Sequence, residues 1–518
     1  MIEAVPAECA ELLSAAEVVI EQQAEEIAAL KAKIIELKRG HRSERLERKE
    51  ATEDCDEPPG EKAPSGRRGQ RPGRPGHGRR RYEHLPVVEE VVEPDASLLR
   101  CQSCGLPLVP FGEDSSEQID WQVVVRRVRH RRPRYWRTCR CPGSTVVQAP
   151  PPPKVVPKGL FTVDFIVHLV ILRFEIGLPV QRVIALLAME GLGLSPGTLA
   201  GVLRAVGELL KPLGAAIREH NRCSAYLHAD ETSWPVFVPV QDKENHRWWL
   251  WVFVGPDSVC YLIKPRRATS VVAEHLGIDL EGPRPALPHG EGLVLHSDRY
   301  SVYASLGQKV PNVVTNVWCW AHVRRDFVRV RDGYQAWRAW AVAWLERIRD
   351  LYRAYERWEA AEPDSPEAAE QGREVAALIK KMRGALDREL ADRKLHPAVR
   401  KVLVSMNRYW EGLVLPFEEP GMALDNNLAE RHLRGPVVSR KNSLGSGSEW
   451  SAELAADAWT VLGTAAMAGW EPQRYLRGYL EACARAGGRA PADLTPWLPW
   501  AASAEDRERW KRPPPDTS

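Results

Sequence analysis

The order of apolar segments between residues 226 and 330 restricts the fold of this chain more than any other feature. Short strand-like and amphipathic helical segments follow one another as three strands, helix, strand, helix, strand, helix. The strand-like segments are 226–232, 246–254, 258–264, 293–298 and 312–319. Strands that alternate with helices are typical of layered α/β domains. The pattern therefore predicts an α/β core in this part of the chain.

Composition limits what can surround this core. The 518 residues include 72 basic and 69 acidic ones, a net charge of +3, and 44% are hydrophobic, as in ordinary globular proteins. The longest apolar segment, 161–174, is interrupted by Asp164, His168 and Arg173 and is shorter than the ~20 residues of a membrane span. The N-terminus lacks a signal-peptide pattern. We therefore expect a multidomain cytoplasmic protein without a membrane segment.

A seven-residue apolar repeat lies near the N-terminus. Its positions are Leu13, Ile20, Ile27 and Ile34, followed three places later by Ala16, Gln23, Leu30 and Leu37. This spacing is typical of a coiled coil with one polar position, at Gln23. It predicts an oligomerisation helix within residues 1–47 and hence a homo-oligomer. The alternative is one amphipathic helix packed on its own chain.

Two segments concentrate arginine without any acidic residue. Residues 67–81 hold seven arginines among glycines and prolines, and residues 126–140 hold eight. The first segment belongs to an unfolded basic linker, which acts either as a tether or as a minor-groove contact. The second is so one-sided in charge that it favours a phosphate backbone as partner. The DNA contacts predicted there are Arg126, Arg127, Arg129, Arg131 and Arg132.

Two cysteine pairs surround this second basic segment. They are Cys101 with Cys104, and Cys139 with Cys141. Thiolates at such spacing can reach one tetrahedral zinc ion, although the second pair has a shorter spacing than usual. We expect one structural Zn²⁺ in a small DNA-binding module, with free thiols as the alternative.

Changes in composition divide the rest of the chain. Prolines at 150–153 and 157 predict a stiff linker. Three helical segments follow it, the third with Ser195 as N-cap, and they fit either a helix-turn-helix or a plain helical spacer. The predicted segments are a coiled-coil helix at 1–47, a basic linker at 48–81, a zinc module at 82–148, a proline-rich linker at 149–158, a helical domain at 159–222, the first part of the core at 223–330, a helical insertion at 331–420, the second part of the core at 421–449 and a C-terminal helical segment at 450–518.

Three carboxylates stand out by their positions. Asp230 and Asp298 lie at or near the ends of strand-like segments, and Glu430 lies on a predicted helix, 426–434. A charge buried beside an apolar strand is costly unless it has a partner, and a shared divalent metal ion is one such partner. Taken singly, each carboxylate also fits a strand-end cap or a turn.

Strand alternation predicts which neighbours of the two aspartates share their strand face. His228 and His296 each precede an aspartate by two residues and share its strand face. They either hydrogen-bond to the metal ligands or bind zinc themselves, or they are ordinary core histidines. Glu231 lies on the opposite strand face from Asp230, so we expect it to be dispensable for chemistry. We expect the same of Asp425, because it does not occupy the position of its helix that carries the predicted metal ligand, Glu430.

The motifs around these carboxylates resemble those of transposases of the insertion-sequence-66 type, over nearly the whole chain. The motifs are Asp230-Glu231-Thr232, Asp298 with Tyr300 and Tyr303, Cys319-Trp-Ala-His322 with Arg324 and Arg325, and Asn427-Leu-Ala-Glu430-Arg431-His-Leu-Arg434 through Arg440-Lys441-Asn442. The resemblance implies a multidomain α+β protein with an RNase H-like core interrupted by a helical insertion. It also implies that Asp230, Asp298 and Glu430 form a DDE triad.

One departure from the family pattern lies beyond the triad. Gly435 stands before Pro436, where the family usually has proline directly after the arginine at position 434. We expect this glycine to loosen a loop that aims Arg440 and Lys441 at DNA.

The implied reaction is phosphoryl transfer on DNA. Two Mg²⁺ or Mn²⁺ ions would activate the attacking oxygen and stabilise the departing one, and carboxylates are the oxygen ligands that such ions prefer. Arg434, Arg440 and Lys441 would hold phosphate near the scissile bond. The implied partners are double-stranded element ends and target DNA, and small accessory proteins of the same element. The alternatives are an inactive DNA-binding or DNA-bridging regulator and a metal-dependent hydrolase of small nucleotides.

Overall fold

The computed structural model describes residues 125–136, 146–239, 246–282, 292–311, 313–418 and 421–512, with a few single positions outside these ranges. The predicted coiled coil, the basic linker and the four cysteines of the expected zinc site lie outside the described residues. The chain divides into two units, residues 1–92 with 516–518 and residues 93–515. All helices and strands given below belong to the second unit.

The described residues form seven strands and fourteen α-helices. The strands are β1 Arg134–Trp136, β2 Val146–Gln148, β3 Tyr226–Pro235, β4 Arg247–Val254, β5 Val259–Lys264, β6 Leu293–Ser297 and β7 Val314–Trp318. The helices are α1 Val163–Val170, α2 Val180–Met189, α3 Pro196–Asn221, α4 Thr269–Leu276, α5 Ser301–Lys309, α6 Trp320–Gly333, α7 Arg338–Ala360, α8 Pro366–Ala391, α9 Pro397–Arg408, α10 Trp410–Val414, α11 Asn427–Ser443, α12 Glu449–Met467, α13 Pro472–Arg485 and α14 Ala504–Trp510. Within these ranges, none of the helices has the length and apolar content needed to cross a bilayer.

Five strands form one mixed sheet in the order β5-β4-β3-β6-β7. The neighbours β3/β4 and β4/β5 are antiparallel, whereas β3/β6 and β6/β7 are parallel. The parallel pairs follow from the helices α4 and α5, because a parallel neighbour needs a crossover connection. The predicted order of three strands, helix, strand, helix, strand, helix is confirmed.

Apolar side chains cover both faces of this sheet. On one face Leu250, Val252 and Tyr261 share a core with helices α3 and α12. On the other face Leu227, Trp251 and Phe253 share a core with α4, α5 and the helices that follow them. The sheet is therefore the middle layer between helices, and Asp230 and Asp298 lie just beyond the last residues at which β3 and β6 pair with each other.

The helices α7 to α10 occupy the stretch between α6 and α11, where the sequence predicts a helical insertion. Helices α7 and α9 both contact α6, and α8 packs on α7 and α9. Buried Trp344, Leu351 and Met406 join the same apolar core as one face of the sheet. The insertion is thus packed directly against the helix that follows the last strand.

Helix α3 bears on the choice between a helix-turn-helix and a spacer. Ser195 caps it as predicted, accepting a hydrogen bond from the Thr198 backbone N–H at 3.2 Å. The helix continues to Asn221 and buries Leu203, Val206 and Leu213 in the core shared with α12. This long buried face makes α3 a part of the core rather than a detached recognition helix.

The structure corrects the expected loop after Glu430, because α11 runs on through Gly435 and Pro436 to Ser443. A proline inside a helix has no N–H for the carbonyl four residues before it. Here that carbonyl belongs to His432, and it accepts a hydrogen bond from the Tyr261 hydroxyl at 2.9 Å instead. The side chain of β5 therefore supplies the donor that Pro436 lacks, and the helix continues.

The C-terminal segment, which is predicted to be helical from residue 450, ends in one more helix. Residues 504–510 form α14, in which Ser503 caps the helix by accepting from the Asp506 backbone N–H. Buried Trp510 donates its indole N–H to the Pro496 carbonyl at 3.1 Å. A single aromatic anchor of this kind has no periodicity in the sequence, which is why the pattern alone does not predict it.

Candidate active site

The register of β3 and β6 places Asp230 and Asp298 beside each other. These parallel neighbours pair His228 with His296, and each aspartate comes two residues later. Neighbouring strands lie ~4.8 Å apart, so the two carboxylates leave the sheet at the same level and on the same face. The Glu231 backbone N–H donates to the Asp230 carboxylate at 2.8 Å, and the Tyr300 backbone N–H donates to that of Asp298 at 2.9 Å.

Asn426 attaches the helix that carries Glu430 to the same strand. This residue, just before α11, is 1% exposed. Its amide N–H donates to the Ala229 carbonyl at 2.8 Å, and its amide oxygen lies 3.0 Å from His228 Nδ1. These bonds hold the first turn of α11, and with it Glu430, against β3 next to Asp230. No sequence pattern marks this role, because the two partners of Asn426 lie 197 and 198 residues away in the chain.

Electrostatic interactions connect the three carboxylates. Burial, together with the negative charges of Glu231, Asp298 and Glu430, raises the pKa of Asp230 to about 8. A partly buried acid surrounded by like charges favours its protonated form unless a cation is near. The structure therefore brings all three predicted residues into one acidic environment.

His322 is a fourth residue of this environment. Its Nε2 lies 3.9 Å from the Glu430 carboxylate. Burial lowers the pKa of His322, and Arg325 lowers it further, while Asp298 and Glu430 act in the opposite direction. The histidine is therefore a neutral neighbour at neutral pH, able to donate one hydrogen bond or accept one. The Cys319-Trp-Ala-His322 motif was the sequence signal for it, although it was not assigned a role.

Glu231 makes structural contacts that strand alternation alone does not indicate. It is buried on the opposite face of β3, where Arg267 Nε donates to its carboxylate at 2.8 Å. Arg267 Nη2 and the Tyr303 hydroxyl donate to it as well. The Arg267 guanidinium also lies 3.5 Å from the centre of the Tyr300 ring. This cluster supports the backbone on both sides of the two aspartates.

His228 and His296 fit the core interpretation. Their rings stack with centroids 4.8 Å apart. His228 is bonded to Asn426, and His296 Nδ1 lies 2.9 Å from the Tyr226 hydroxyl. Burial lowers the pKa of both imidazoles. They are neutral packing and hydrogen-bonding groups beneath the carboxylates.

The carboxylates of Asp230, Asp298 and Glu430 are chemically suited to bind a divalent cation. Among the described residues, no three His, Cys, Asp or Glu side chains are grouped closely enough to enclose a metal ion. Carboxylate oxygens are nevertheless the ligands that Mg²⁺ and Mn²⁺ prefer. The raised pKa of Asp230 arises from burial and neighbouring negative charge, and a bound cation would offset both effects.

The predicted DNA-contacting residues lie in two places. Arg126, Arg127, Arg129, Arg131 and Arg132 are all exposed in the extended segment that leads into β1. Arg434 and Lys441 are exposed on α11. Arg440 differs, because its Nη1 donates to the Thr232 hydroxyl at 2.9 Å and to the Ser233 carbonyl. Its guanidinium thus fixes the end of α11 to β3.

A cleft beside Asp298 adds residues that sequence reasoning did not assign. Arg299 follows Asp298 directly and donates to Ser405 of α9 at 2.8 Å and to Asp326 of α6. The cleft between these helices has a volume of about 540 Å³ and is lined mostly by polar and basic side chains. No local pattern marks these residues, because their contacts join segments far apart in the chain.

Comparison with known proteins agrees with this architecture. The profile described as "Transposase IS66 family" matches residues 158–454. The chain is also 28% identical over 443 residues to the uncharacterized protein y4qI of Sinorhizobium fredii (strain NBRC 101917 / NGR234), covering 80% of this chain and 76% of that protein. It is 26% identical over 438 residues to y4jD of the same strain, covering 82% and 81%. The family match spans more than half of the chain and includes the mixed sheet and all three carboxylates, so the chain belongs to the IS66 transposase family.

Proposed function

We propose that this protein is a DNA transposase that cleaves element ends and joins them to target DNA. One observation carries the proposal: Asp230, within β3, and Asp298, directly after β6, come from neighbouring parallel strands of a mixed sheet, and Asn426 holds the helix that carries Glu430 against β3. The strand order β5-β4-β3-β6-β7 supports an RNase H-like core. Family membership supports transposition as the process.

In this proposal Asp230, Asp298 and Glu430 would together hold two Mg²⁺ ions. When bound, such ions activate the attacking hydroxyl and stabilise the leaving oxygen of a phosphodiester. His322 orients the Glu430 carboxylate, and the Asn426 amide fixes its helix. Exposed Arg434 and Lys441 hold the DNA phosphates on either side of the reacting bond.

The remaining segments serve DNA binding and assembly in the same proposal. Cys101, Cys104, Cys139 and Cys141 hold one structural Zn²⁺ that folds the module around the exposed arginines. The heptad positions within residues 1–47 form a coiled coil that makes the protein a homo-oligomer. Oligomers suit this task because the two ends of one element are cut and joined together. Small accessory proteins of the same element are further partners.

The test is a strand-cleavage assay with the full chain and DNA that carries the sequences flanking its own gene. We expect cleavage with Mg²⁺ or Mn²⁺, and none with EDTA. Ca²⁺ should support DNA binding but little cleavage, since its looser coordination misplaces the reacting groups. A protein that binds this DNA tightly but cuts it with neither Mg²⁺ nor Mn²⁺ would instead be an inactive DNA-binding or DNA-bridging regulator.

A further inference from the structure

The cleft beside Asp298 is a groove between two helices. Each helix contributes one stripe of side chains. The stripes are His322, Arg325, Asp326 and Arg329 on α6, and Lys401, Val404, Ser405 and Arg408 on α9. Positions i, i+3, i+4 and i+7 share one helix face, and the opposite faces bury Phe327 and Leu403. The groove therefore runs between a core helix and the helical insertion, and Asp298 lies in its wall.

Positive charge dominates this groove. Among the described residues that line it, five are Lys or Arg and two are Asp. One of the acids, Asp326, bonds to Arg299 and Arg329 at 2.5 and 2.9 Å. Lys401 and Arg408 are exposed on the insertion side. A groove with such an excess of cations attracts a polyanion rather than a neutral ligand.

Arg299 connects the groove to the loop that carries Asp298. Its side chain is 11% exposed, and its Nη1 donates to the Ser405 hydroxyl of α9 at 2.8 Å. Because Arg299 follows Asp298 directly, this bond holds the α9 stripe against the loop that carries the aspartate. A ligand in the groove is therefore positioned relative to Asp298 by the insertion itself.

Apolar and aromatic side chains stand among the cations. Val404 is 49% exposed although it is hydrophobic, and Tyr300 and Tyr409 line the same groove. Cationic grooves with aromatic side chains are typical of binding sites for unpaired nucleic acid strands, where phosphates meet cations and bases meet rings. The volume of about 540 Å³ suits a nucleotide or two, as it falls in the range of ~300–1,000 Å³ for small-ligand pockets.

We propose that this groove binds an unpaired stretch of DNA strand next to the phosphate that is cut. Lys401 and Arg408 bind its phosphates, and a base lies over Val404. The inference rests on the proposed function and adds to it a direct role for the helical insertion in substrate binding. It also explains why the insertion presents a polar stripe to the groove while its other face is buried.

The test compares two fluorescent probes by anisotropy with the full-length protein in EDTA: a blunt duplex, and the same duplex with an unpaired extension on one strand. We expect the wild type to bind the extended probe more tightly. The double variant Lys401→Ala/Arg408→Ala should lower affinity for the extended probe on the order of tenfold, as expected for lost charge-assisted contacts, and should bind both probes equally. No cleavage occurs in EDTA, so the result is independent of catalysis.

The matched control is Arg393→Ala/Lys394→Ala, which removes two exposed cations just before α9 that do not line the groove. It should retain the wild-type preference, and circular dichroism checks that both variants fold. Three results would overturn the proposal: no preference in the wild type, an unchanged preference in the groove variant, or an equal loss for both probes. A preference lost only in the groove variant supports it, even if the protein never cuts DNA.

Discussion

Glu231 lies one residue from Asp230, yet its contacts are of a different kind, because it faces the buried cluster with Arg267 and Tyr303. Glu231→Ala would leave the Arg267 guanidinium and the Tyr303 hydroxyl without their acceptor. We expect the free energy of unfolding to fall by about 3 kcal/mol, the lower end for a buried pair that loses one partner. Urea denaturation measures this change. Glu231→Gln, which keeps an acceptor, should lose less, and an unchanged midpoint for Glu231→Ala would contradict the cluster.

Asp230 should make the metal-free protein sensitive to pH. Its pKa in the fold is raised to about 8, whereas an unfolded aspartate has a pKa of ~3.9. Between these values the folded state binds more protons than the unfolded state, so stability falls as pH rises from about 4 to 8. In EDTA, Asp230→Asn should therefore melt a few degrees higher than the wild type at pH 8, and the difference should disappear near pH 4. Parallel melting curves at both pH values would contradict the raised pKa.

The two aspartates were predictable because Asp230 lies within one strand-like segment and Asp298 at the end of another, and strand alternation gives their side chains a definable face. Asn426 and Arg299 were not predictable in the same way. The bond from Asn426 to the Ala229 carbonyl spans 197 residues, and that from Arg299 to Ser405 spans 106. Such contacts depend on how elements pack, and a single sequence carries no local pattern for them.

Among the elements, α11 shows how a side chain far away in the sequence allows a helix to continue through a proline. The Tyr261 hydroxyl of β5 donates to the His432 carbonyl that Pro436 leaves without a helical donor. Tyr261→Phe removes only this donor, so we expect a loss of about 1–3 kcal/mol, the cost of a buried acceptor without a partner. Chemical denaturation measures it. The combined variant Tyr261→Phe/Pro436→Ala should recover most of the loss, because residue 436 then donates its own N–H; no recovery would contradict this assignment.

The strands and most helices were predictable because alternation and helical spacing are local properties. The C-terminal end of α11 was not predictable, because Gly435-Pro436 is typical of a helix end. The Tyr261 hydroxyl that compensates for Pro436 lies 171 residues before its acceptor, His432. The bounds of α14 have no local signal either, because this helix is held by one buried indole, that of Trp510, rather than by a repeated apolar stripe. Tertiary contacts override local signals at these points.

For the whole molecule, DNA affinity should depend on the exposed arginines before β1. Replacing Arg126, Arg127, Arg129 and Arg131 with Ala removes up to four phosphate contacts. Each lost contact should reduce the slope of log affinity against log salt by about 0.9. Fluorescence anisotropy over a salt series measures the slope, with Arg393→Ala/Lys394→Ala as a control away from this segment. An unchanged slope would place nonspecific DNA binding elsewhere, such as on α11.

The chain-wide organisation was accessible to sequence reasoning only where residues repeat or cluster. The mixed sheet and the family follow from patterned segments within residues 158–454. The coiled coil, the zinc site and the basic linker remain predictions, as their residues lie outside the described part of the chain. The groove between α6 and α9 forms only where the helical insertion packs on the core. Neither composition nor residue spacing indicates this packing.

The proposed catalysis is tested most directly by strand cleavage in Mg²⁺ with Asp230→Ala, Asp298→Ala and Glu430→Ala, beside Asp425→Ala. Asp425 is a suitable control because it accepts from the Asn427 backbone N–H at the start of the same helix, where losing a cap costs ~1 kcal/mol of stability. We expect each triad variant to bind DNA nearly as the wild type does and to cleave at least on the order of a hundredfold more slowly, with double variants no worse than single ones. Asp425→Ala should cleave at close to the wild-type rate. Near-normal cleavage by any one of the three triad variants would contradict the proposed active site.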